Sequence, residues 1–278
     1  MKSGGLRKDE INKRSRENSP FLTIITVVRN GEQIIEETIE SVLQQEYKNI
    51  EYIIIDGSST DNTVEKIKIY ENSIDLWISE PDKGIYDAMN KGISLATGQF
   101  VNFMNAGDKF YNSNVCNLVV SSLLSKDCDV IYGDFIAKNK NNSILIKAKD
   151  ISEIYYGSLF SHQSCFVKSN VLKDNLFDLK YRIASDYNQF LTLFLKNKSF
   201  YYLPIPFSTM LIDGVSYSNM KTYVEQIKIL HSHKPFSLYV LNYIPLILIA
   251  FVRKIMGAKS TAFFRKLKWQ ILNQYSNK

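Results

Sequence analysis

The segment IEYIIIDGSSTDNT, residues 50–63, carries the pattern that decides the fold. Its first half is a nearly continuous apolar and β-branched run, which is typical of a strand buried on both faces of a sheet. The run stops at Asp56, and small polar residues then lead into Val64, Ile67 and Tyr70, which share one face at helical spacing. The segment therefore predicts a buried strand that ends on an acid, followed by a turn and a helix.

The same unit recurs on both sides of this segment. Strands are predicted at LTIITVV (22–28), at DLWIS (75–79) and at the start of FVNFMNAGD (100–108), with helical apolar spacing between them. This alternation predicts an α/β fold with a Rossmann-like, mostly parallel, twisted sheet covered by helices. Such sheets bind ligands at the carboxyl ends of their strands, where Asp56 and Asp108 are placed.

Composition limits the class of protein. The 278 residues are 45% hydrophobic and 22% charged, which suits one large core and excludes a disordered or fibrous protein. Residues 1–19 lack the apolar stretch of a secretory signal, so they predict a mobile basic arm. The cysteines Cys116, Cys128 and Cys165 show no metal-ligand spacing, and we interpret them as buried thiols rather than a zinc or redox site.

The positive charge of the chain lies in its C-terminal part. Residues 226–278 contain nine Lys or Arg and no acid, whereas residues 1–225 contain 25 basic and 28 acidic side chains. This tail includes 18 uncharged residues (235–252) followed by a basic amphipathic segment, a composition typical of binding to anionic membrane surfaces. Two prolines and an asparagine in 235–252 disfavour a membrane span, and a packed helical appendage is the alternative. The acidic body disfavours nucleic acid as a partner.

Two turns at predicted strand ends are candidate sites for phosphate or sugar oxygens. The turn after Asp56 opens a helix, whose free N–H groups and dipole favour such oxygens, although its polar residues also suit helix capping. Asp82 and Lys83 precede the third helix in the same way, and Lys83 can equally be a solvated lysine. Neither G-x-G-x-x-G after a strand nor G-x-x-x-x-G-K-[ST] is present, so a nicotinamide dehydrogenase or a P-loop enzyme is poorly supported.

Five motifs together resemble glycosyltransferase family 2, a group of nucleotide-sugar-dependent enzymes with the GT-A fold. In chain order they are ITVVRNGE, IIIDGSSTDNT, GIYDAMNKGI, FVNFMNAGD and YRIASDYNQFLTL, and the resemblance covers residues 21–220. The pair His162-Gln163 and the segment DGVS (213–216) are similar to features of bacterial members that build surface polysaccharides such as lipopolysaccharide or capsule. The resemblance implies a GT-A catalytic domain over residues 20–225 and a helical tail over 226–278.

Within that domain the resemblance implies a nucleotide-binding half (20–110) and an acceptor half (111–225). Asp108 matches the acid that holds Mn²⁺ or Mg²⁺ on the donor diphosphate, which agrees with the preference of these ions for carboxylate and phosphate oxygens. Asp186 matches the catalytic base, which takes the proton of the acceptor hydroxyl as its oxygen attacks C1 of the sugar. A helix N-cap is the competing interpretation of Asp186.

Other residues match positions around the two substrates. His162 and Gln163 are placed on the acceptor or diphosphate side, and a satisfied structural histidine is the alternative for His162. Six residues match the nucleotide-sugar site, namely Val27, Arg29, Asp56, Asp82, Lys83 and Asp87. The chain departs from the family pattern at Gly57, Gly107 and Met89, where many members have two acids and an arginine. The processive Q-x-x-R-W motif is absent, which predicts addition of a single sugar.

The resemblance thus implies an inverting glycosyltransferase that moves one sugar from a UDP-linked donor to a hydroxyl of a saccharide acceptor carried on a polyprenyl diphosphate. The acidic body and the basic, apolar tail predict a peripheral location on the cytoplasmic face of the bacterial inner membrane. Two alternatives remain. One is a catalytically silent nucleotide-sugar-binding or scaffold protein, and the other is a sugar nucleotidyltransferase, whose Gly-rich signature is missing near the first strand.

Overall fold

A computed structural model describes residues 1–9, 19–138, 142–211 and 220–233 of the chain. Within these residues the strands are β1 (Lys2–Gly4), β2 (Leu22–Val28), β3 (Ile50–Asp56), β4 (Leu76–Ser79), β5 (Phe100–Phe103), β6 (Lys109–Phe110), β7 (Val130–Lys138), β8 (Ser143–Ile146), β9 (Cys165–Lys168) and β10 (Phe200–Leu211). The α-helices are α1 (Ile35–Leu43), α2 (Thr63–Ile69), α3 (Ile85–Leu95), α4 (Val115–Ser125), α5 (Ser169–Lys173), α6 (Ser185–Leu195) and α7 (Met220–His233).

The strands form one sheet in the order β1-β4-β3-β2-β5-β9-β7-β10-β6, and β8 pairs with β7. Strands β4, β3, β2 and β5 are parallel, as predicted, and β7 and β10 are parallel as well. Strand β9 is antiparallel to both of its neighbours, β5 and β7. The sheet is therefore mixed, and the predicted α/β fold with a mostly parallel sheet is confirmed.

Helices cover both faces of the sheet because successive residues of its central strands point in opposite directions. In β3, Ile53 and Ile55 pack into one apolar layer with α3, α5, α6 and α7. Tyr52 and Ile54 pack into the other layer with α1, α2 and α4. Burial on both faces explains why these strands read as continuous apolar runs.

The N-terminal residues differ from the prediction of a mobile arm over 1–19. Strand β1 pairs antiparallel with the edge of β4, and the Arg7 guanidinium lies 3.1 Å from the buried carboxylate of Glu51. Gly4 permits the pairing of β1 with β4, since a Cβ at this position would collide with the side chains of Glu71 and Trp77. The prediction is wrong for residues 2–9, which are held by strand pairing and an ion pair. Neither interaction requires an apolar sequence pattern, so the sequence carries no signal of them. Residues 10–18 lie outside the described residues.

The C-terminal boundary predicted at residue 226 also shifts. Helix α7 runs across it, and Ile229 and Leu230 are buried in the same apolar layer as α3 and α6. Residues up to His233 therefore pack on the same core as the residues before the predicted boundary. The predictions for residues 235–252, for the rest of the tail and for DGVS lie outside the described residues. Within the part that is described, no helix is long and apolar enough to cross a membrane.

Candidate active site

The turn that follows β5 carries Asp108 at the carboxyl edge of the parallel strands. Thr38 of α1 fixes this turn, because its hydroxyl accepts the N–H of Gly107 at 2.9 Å and donates to the carbonyl of Asp108 at 2.8 Å. The Asp108 N–H donates to the carbonyl of Asn105 at 2.9 Å. Gly107 has a φ of 94°, a left-handed conformation that favours glycine. The backbone conformation thus favours glycine at this position.

The Asp108 carboxylate is half-buried and faces the acceptor half of the molecule. Burial disfavours its charged form and raises its pKa to about 6, although the hydrogen bond from Gln163 and the nearby His162 oppose the shift. The Gln163 amide donates to Oδ2 of Asp108 at 2.6 Å. This single contact joins the metal-site acid predicted from the sequence to the predicted acceptor-side pair.

His162 connects the end of β5 with α6. Its Nδ1 lies 3.2 Å from Oδ2 of Asp186, and its Nε2 lies 2.9 Å from the side-chain amide nitrogen of Asn105. Because a carboxylate only accepts, Nδ1 carries a proton and donates to Asp186, and Nε2 lies against the side-chain amide of Asn105. Asn105, His162 and Asp186 therefore form one continuous hydrogen-bonded chain.

Asp186 lies in the first turn of α6, whose N-cap residue is Ala184, so the competing N-cap interpretation does not describe its position. Its Oδ1 accepts the N–H of Tyr187 at 2.8 Å and lies 3.2 Å from the hydroxyl of Tyr86. Burial, followed by the charge of Asp186, raises the pKa of Tyr86 well above its usual value, so this hydroxyl stays protonated. The Asp186 side chain is 23% exposed, which leaves it open to a substrate.

The donor half is more self-contained. Asp56 is fully buried, and its carboxylate accepts from the backbone and hydroxyl of Ser59 and from the hydroxyl of Ser79 at 2.6 Å. Asp82 caps the next turn by accepting the N–H of Gly84 at 2.8 Å. A Cβ at Gly57 would lie 2.3 Å from Oδ2 of Asp82. Asp82 thus occupies the space that a second acid after β3 would need.

The remaining predicted donor residues surround these two turns. Val27 is buried near the end of β2, whereas Arg29 and Lys83 are exposed. Asp87 accepts the backbone N–H of Lys83 at 2.9 Å and lies 3.9 Å from the ammonium of Lys91, so it closes the first turn of α3. The structure therefore brings Asp108, Gln163, His162 and Asp186 into direct or neighbouring contact. It engages Asp56 and Asp87 mainly with their own turns.

Sequence reasoning missed Thr38, Tyr86 and Asn105 of this arrangement, and also Glu225 of α7, whose carboxylate accepts the N–H groups of residues 182–184 just before α6. Tyr86 and Asn105 lie inside the motifs GIYDAMNKGI and FVNFMNAGD, so they stood next to residues that were predicted. Thr38 and Glu225 lie in helices without any local signal, and only the fold places them at the site.

A divalent cation fits this site only together with a substrate. Among the described residues there is no group of three or more His, Cys, Asp or Glu side chains that could hold a metal ion. Asp108 offers one carboxylate, and within the described part of the chain only Gln163 donates to it. Because Mn²⁺ and Mg²⁺ are commonly held by one or two carboxylates plus substrate phosphates, this donor set suits a cation shared with a diphosphate.

Comparisons with known proteins agree with this fold. The family model described as Glycosyl transferase family 2 matches residues 23–196. The chain is 26% identical over 175 residues to a PGL/p-HBAD biosynthesis glycosyltransferase of Mycobacterium tuberculosis, covering 61% of this chain and 68% of that relative. It is 32% identical over 143 residues to the Escherichia coli UDP-Glc:alpha-D-GlcNAc-diphosphoundecaprenol beta-1,3-glucosyltransferase WfgD, covering 51% of this chain and 56% of that enzyme.

Two groups of solved structures share the fold. Staphylococcus aureus TarS 1–349 in complex with UDP-GlcNAc superposes with a TM-score of 0.63 at 17% identity, covering 87% of this chain and 74% of that one. The Pyrobaculum calidifontis mannosyltransferase PcManGT in complex with GDP-Man and Mn²⁺ gives a TM-score of 0.64 at 14% identity, covering 92% and 81%. At these identities the similarity shows the fold alone.

Proposed function

The chain belongs to glycosyl transferase family 2 and is a nucleotide-sugar glycosyltransferase, and we propose that it transfers a single hexose with inversion from a UDP-linked donor to a saccharide hydroxyl. The observation that carries this proposal is the network that joins two acids from different halves of the domain. Gln163 contacts Asp108, and its neighbour His162 contacts Asp186. One acid is thereby available to each substrate.

In this proposal Asp186 is the catalytic base. It takes the proton of the acceptor hydroxyl as that oxygen bonds to C1 of the sugar, while the bond from C1 to the diphosphate oxygen breaks and UDP leaves. His162 donates a hydrogen bond to the Asp186 carboxylate, and the single proton of the Tyr86 hydroxyl is shared between Asp186 and the carbonyl oxygen of Ile183. Together these contacts orient the carboxylate. The contacts with His162 and Tyr86 hold the Asp186 carboxylate in one place while it accepts a proton.

Asp108 is proposed to hold Mn²⁺ or Mg²⁺ on the donor diphosphate. When bound, the cation neutralises the charge that develops on the departing nucleoside diphosphate. The chain itself contributes the carboxylate, and Gln163 orients that carboxylate through Oδ2. The raised pKa of Asp108 reflects an unfavourable buried charge that a nearby cation relieves.

The donor is proposed to lie along the carboxyl ends of β2, β3 and β4. Arg29 and Lys83 are exposed there and can approach the base and the diphosphate, whereas Val27 lines the floor of the site. Asp82 is half-buried, and we propose that it contacts the nucleotide together with Asp56, which acts by ordering Ser59 and Ser79. Asp87 is proposed to stabilise the turn that presents Lys83.

The acceptor is proposed to be a saccharide carried on a polyprenyl diphosphate, presented at the cytoplasmic face of the inner membrane. The names of the relatives support this, since WfgD acts on a diphosphoundecaprenol-linked sugar and the mycobacterial relatives act in PGL/p-HBAD biosynthesis. The concentration of positive charge in residues 226–278 supports membrane association.

A thermal-shift panel tests the proposed donor and cation. UDP-glucose, UDP-galactose, UDP-GlcNAc and GDP-mannose are each added with and without Mn²⁺, because a ligand that binds only the folded state raises Tm by mass action. We expect a Mn²⁺-dependent shift with at least one UDP-sugar, followed by release of UDP when GlcNAc-diphosphoundecaprenol is added. Binding without UDP release would instead favour the silent nucleotide-sugar-binding protein, and no shift with any donor would contradict the proposal.

A further inference from the structure

The N-terminus of α6 is held by a carboxylate from another helix. The Glu225 side chain of α7 accepts the backbone N–H groups of three consecutive residues, Arg182 at 3.1 Å, Ile183 at 2.8 Å and Ala184 at 3.0 Å. Ala184 is the N-cap residue and has no side chain that could cap the helix. Glu225 therefore holds the three residues that lead into α6, and its negative charge lies near the positive end of the helix dipole.

The segment held by Glu225 also positions the groups around Asp186. The hydroxyl of Tyr86 lies 2.8 Å from the carbonyl oxygen of Ile183 and 3.2 Å from Oδ1 of Asp186. The Tyr86 ring is buried and packs on Phe177 with a centroid distance of 5.2 Å, so it cannot follow the segment if the segment moves. A displacement of residues 182–184 would thus change the geometry between Tyr86 and Asp186.

Helix α7 is tied to α6 and to the segment before it at Glu225 and near its C-terminal end, which makes Glu225 a firm support. Near its C-terminal end, Nε2 of His233 lies 2.8 Å from Oδ1 of Asn188, and the hydroxyls of Ser232 and Tyr181 are 3.2 Å apart. Between these contacts and Glu225, the side chains of α7 that face the sheet are buried in the apolar core. The position of α7 therefore determines, through Glu225, the position of the residues that lead into α6.

We propose that Glu225 is a positioning residue for the base. It does not touch the substrates, and it acts by holding residues 182–184 so that Asp186 faces the acceptor hydroxyl. This inference rests on the proposed role of Asp186. Since a displacement of about 1 Å at a catalytic group can slow a reaction by about 100-fold, the loss of Glu225 should slow transfer by about 10- to 100-fold without weakening donor binding.

Variants at one position of α7 separate this role from general destabilisation. Glu225→Ala removes all three acceptor contacts, and Glu225→Gln keeps one oxygen that can still accept the N–H groups of Ile183 and Ala184. Lys228→Ala is the matched control, because Lys228 is exposed on the same helix. We expect faster amide hydrogen exchange at residues 182–184 in Glu225→Ala, an intermediate effect in Glu225→Gln and no change in Lys228→Ala.

The deciding experiment is a double-mutant cycle in the full-length protein. Release of UDP from UDP-glucose, with Mn²⁺ and GlcNAc-diphosphoundecaprenol, is measured for wild type, Glu225→Ala, Asp186→Asn and the double variant, together with Mn²⁺-dependent UDP-glucose affinity. If Glu225 acts through Asp186, Glu225→Ala slows the wild type but adds no further loss to Asp186→Asn.

The outcomes distinguish this inference from the proposed function. Full activity of Asp186→Asn would overturn the assignment of the base, on which the inference depends. A slow Asp186→Asn that is slowed again by the same factor in the double variant would overturn the role of Glu225 alone. If these substrates give no turnover, the hydrogen exchange decides: unchanged exchange at residues 182–184 in Glu225→Ala overturns the proposal, and faster exchange there supports it.

Discussion

The two halves of the candidate active site are built in different ways. In the donor half, the carboxylates bond mainly to their own turns, as Asp56 does with Ser59 and Asp82 does with Gly84, although Asp56 also accepts from Ser79 of β4. In the acceptor half, the contacts join residues far apart in sequence: 100 positions separate Tyr86 from Asp186, and 57 separate Asn105 from His162. Short-range turns follow from local sequence, whereas the acceptor half exists only once the sheet and helices have assembled.

This difference predicts that substitutions in the two halves affect different steps. A change in a donor-half turn should alter donor affinity with little effect on transfer at saturating donor. A change in the acceptor-half network should alter transfer with little effect on donor affinity. The following predictions test this separation in order of decreasing expected effect.

The largest effect is expected from Asp186→Asn. Asparagine keeps the size of the side chain but cannot take a proton, so single-turnover transfer should slow by about 100-fold or more. Rapid-quench measurement of UDP release at saturating donor would check this. Because Asn keeps the oxygen that accepts the N–H of Tyr187, a variant with most of its activity would point to a structural role for Asp186.

The next effect is expected from Gly57→Asp in the donor half. The new side chain would meet Oδ2 of Asp82, which lies 2.3 Å from the position of a Cβ, and would add a second negative charge beside it. We expect donor affinity to fall by about 10-fold, which corresponds to about 1.4 kcal/mol. Titration calorimetry with UDP-glucose and Mn²⁺ measures it, and Gly57→Ala separates the steric effect from the charge. Unchanged affinity in both variants would show that Asp82 lies outside the donor site.

A pH-dependent effect on stability is expected from Asp108. Its pKa is raised to about 6 in the fold, above its usual value near 4, so unfolding releases a proton between these values and stability falls as pH rises through that window. Without metal, Asp108→Asn should therefore be more stable than wild type by about 1–2 kcal/mol above pH 6, and the difference should vanish below pH 4. Denaturant unfolding in EDTA at several pH values checks this, and a constant difference across the range would contradict it.

The smallest effect is expected far from the site, at Arg7. Glu51 is buried and also accepts hydrogen bonds from Thr23 and Thr97, so removal of the half-exposed arginine leaves it partly satisfied. Arg7→Ala should lower the free energy of unfolding by about 1 kcal/mol and leave transfer unchanged. A matched Lys2→Ala variant, which alters an exposed residue of β1, serves as the control. A loss of transfer in Arg7→Ala would mean that the N-terminal strand influences the site.

The same contrast explains how much the sequence predicted. The bounds of β2 and β3 were predicted correctly, because a strand buried on both faces leaves a continuous apolar run. Strand β1 was missed because its pairing with the edge of β4 uses backbone groups and needs no apolar pattern. The burial of Ile229 and Leu230, in residues that were assigned to the tail, was not predicted, since composition reports charge and not packing.

At the site, the sequence predicted residues that lie next to strand ends, but it did not predict the residues that contact them from distant parts of the sequence. Asp108 lies in the turn after a buried strand, which leaves a local signal, whereas its fixation by Thr38 is a contact over 70 positions that no local pattern encodes. His162 was predicted on the acceptor side, and its bridge between Asn105 and Asp186 required the fold. The three hydrogen bonds from the backbone of residues 182–184 to the Glu225 carboxylate likewise depend on the packing of α7 against α6.

The central claim is that Asp108 serves the donor and Asp186 serves the acceptor. The most direct test is Mn²⁺-dependent UDP-glucose affinity, measured by titration calorimetry for wild type, Asp108→Asn and Asp186→Asn in the same buffer. We predict that Asp186→Asn binds the donor as wild type does, and that Asp108→Asn loses the part of the affinity that depends on Mn²⁺. Retained Mn²⁺-dependent binding in Asp108→Asn, or its loss in Asp186→Asn, would contradict the account.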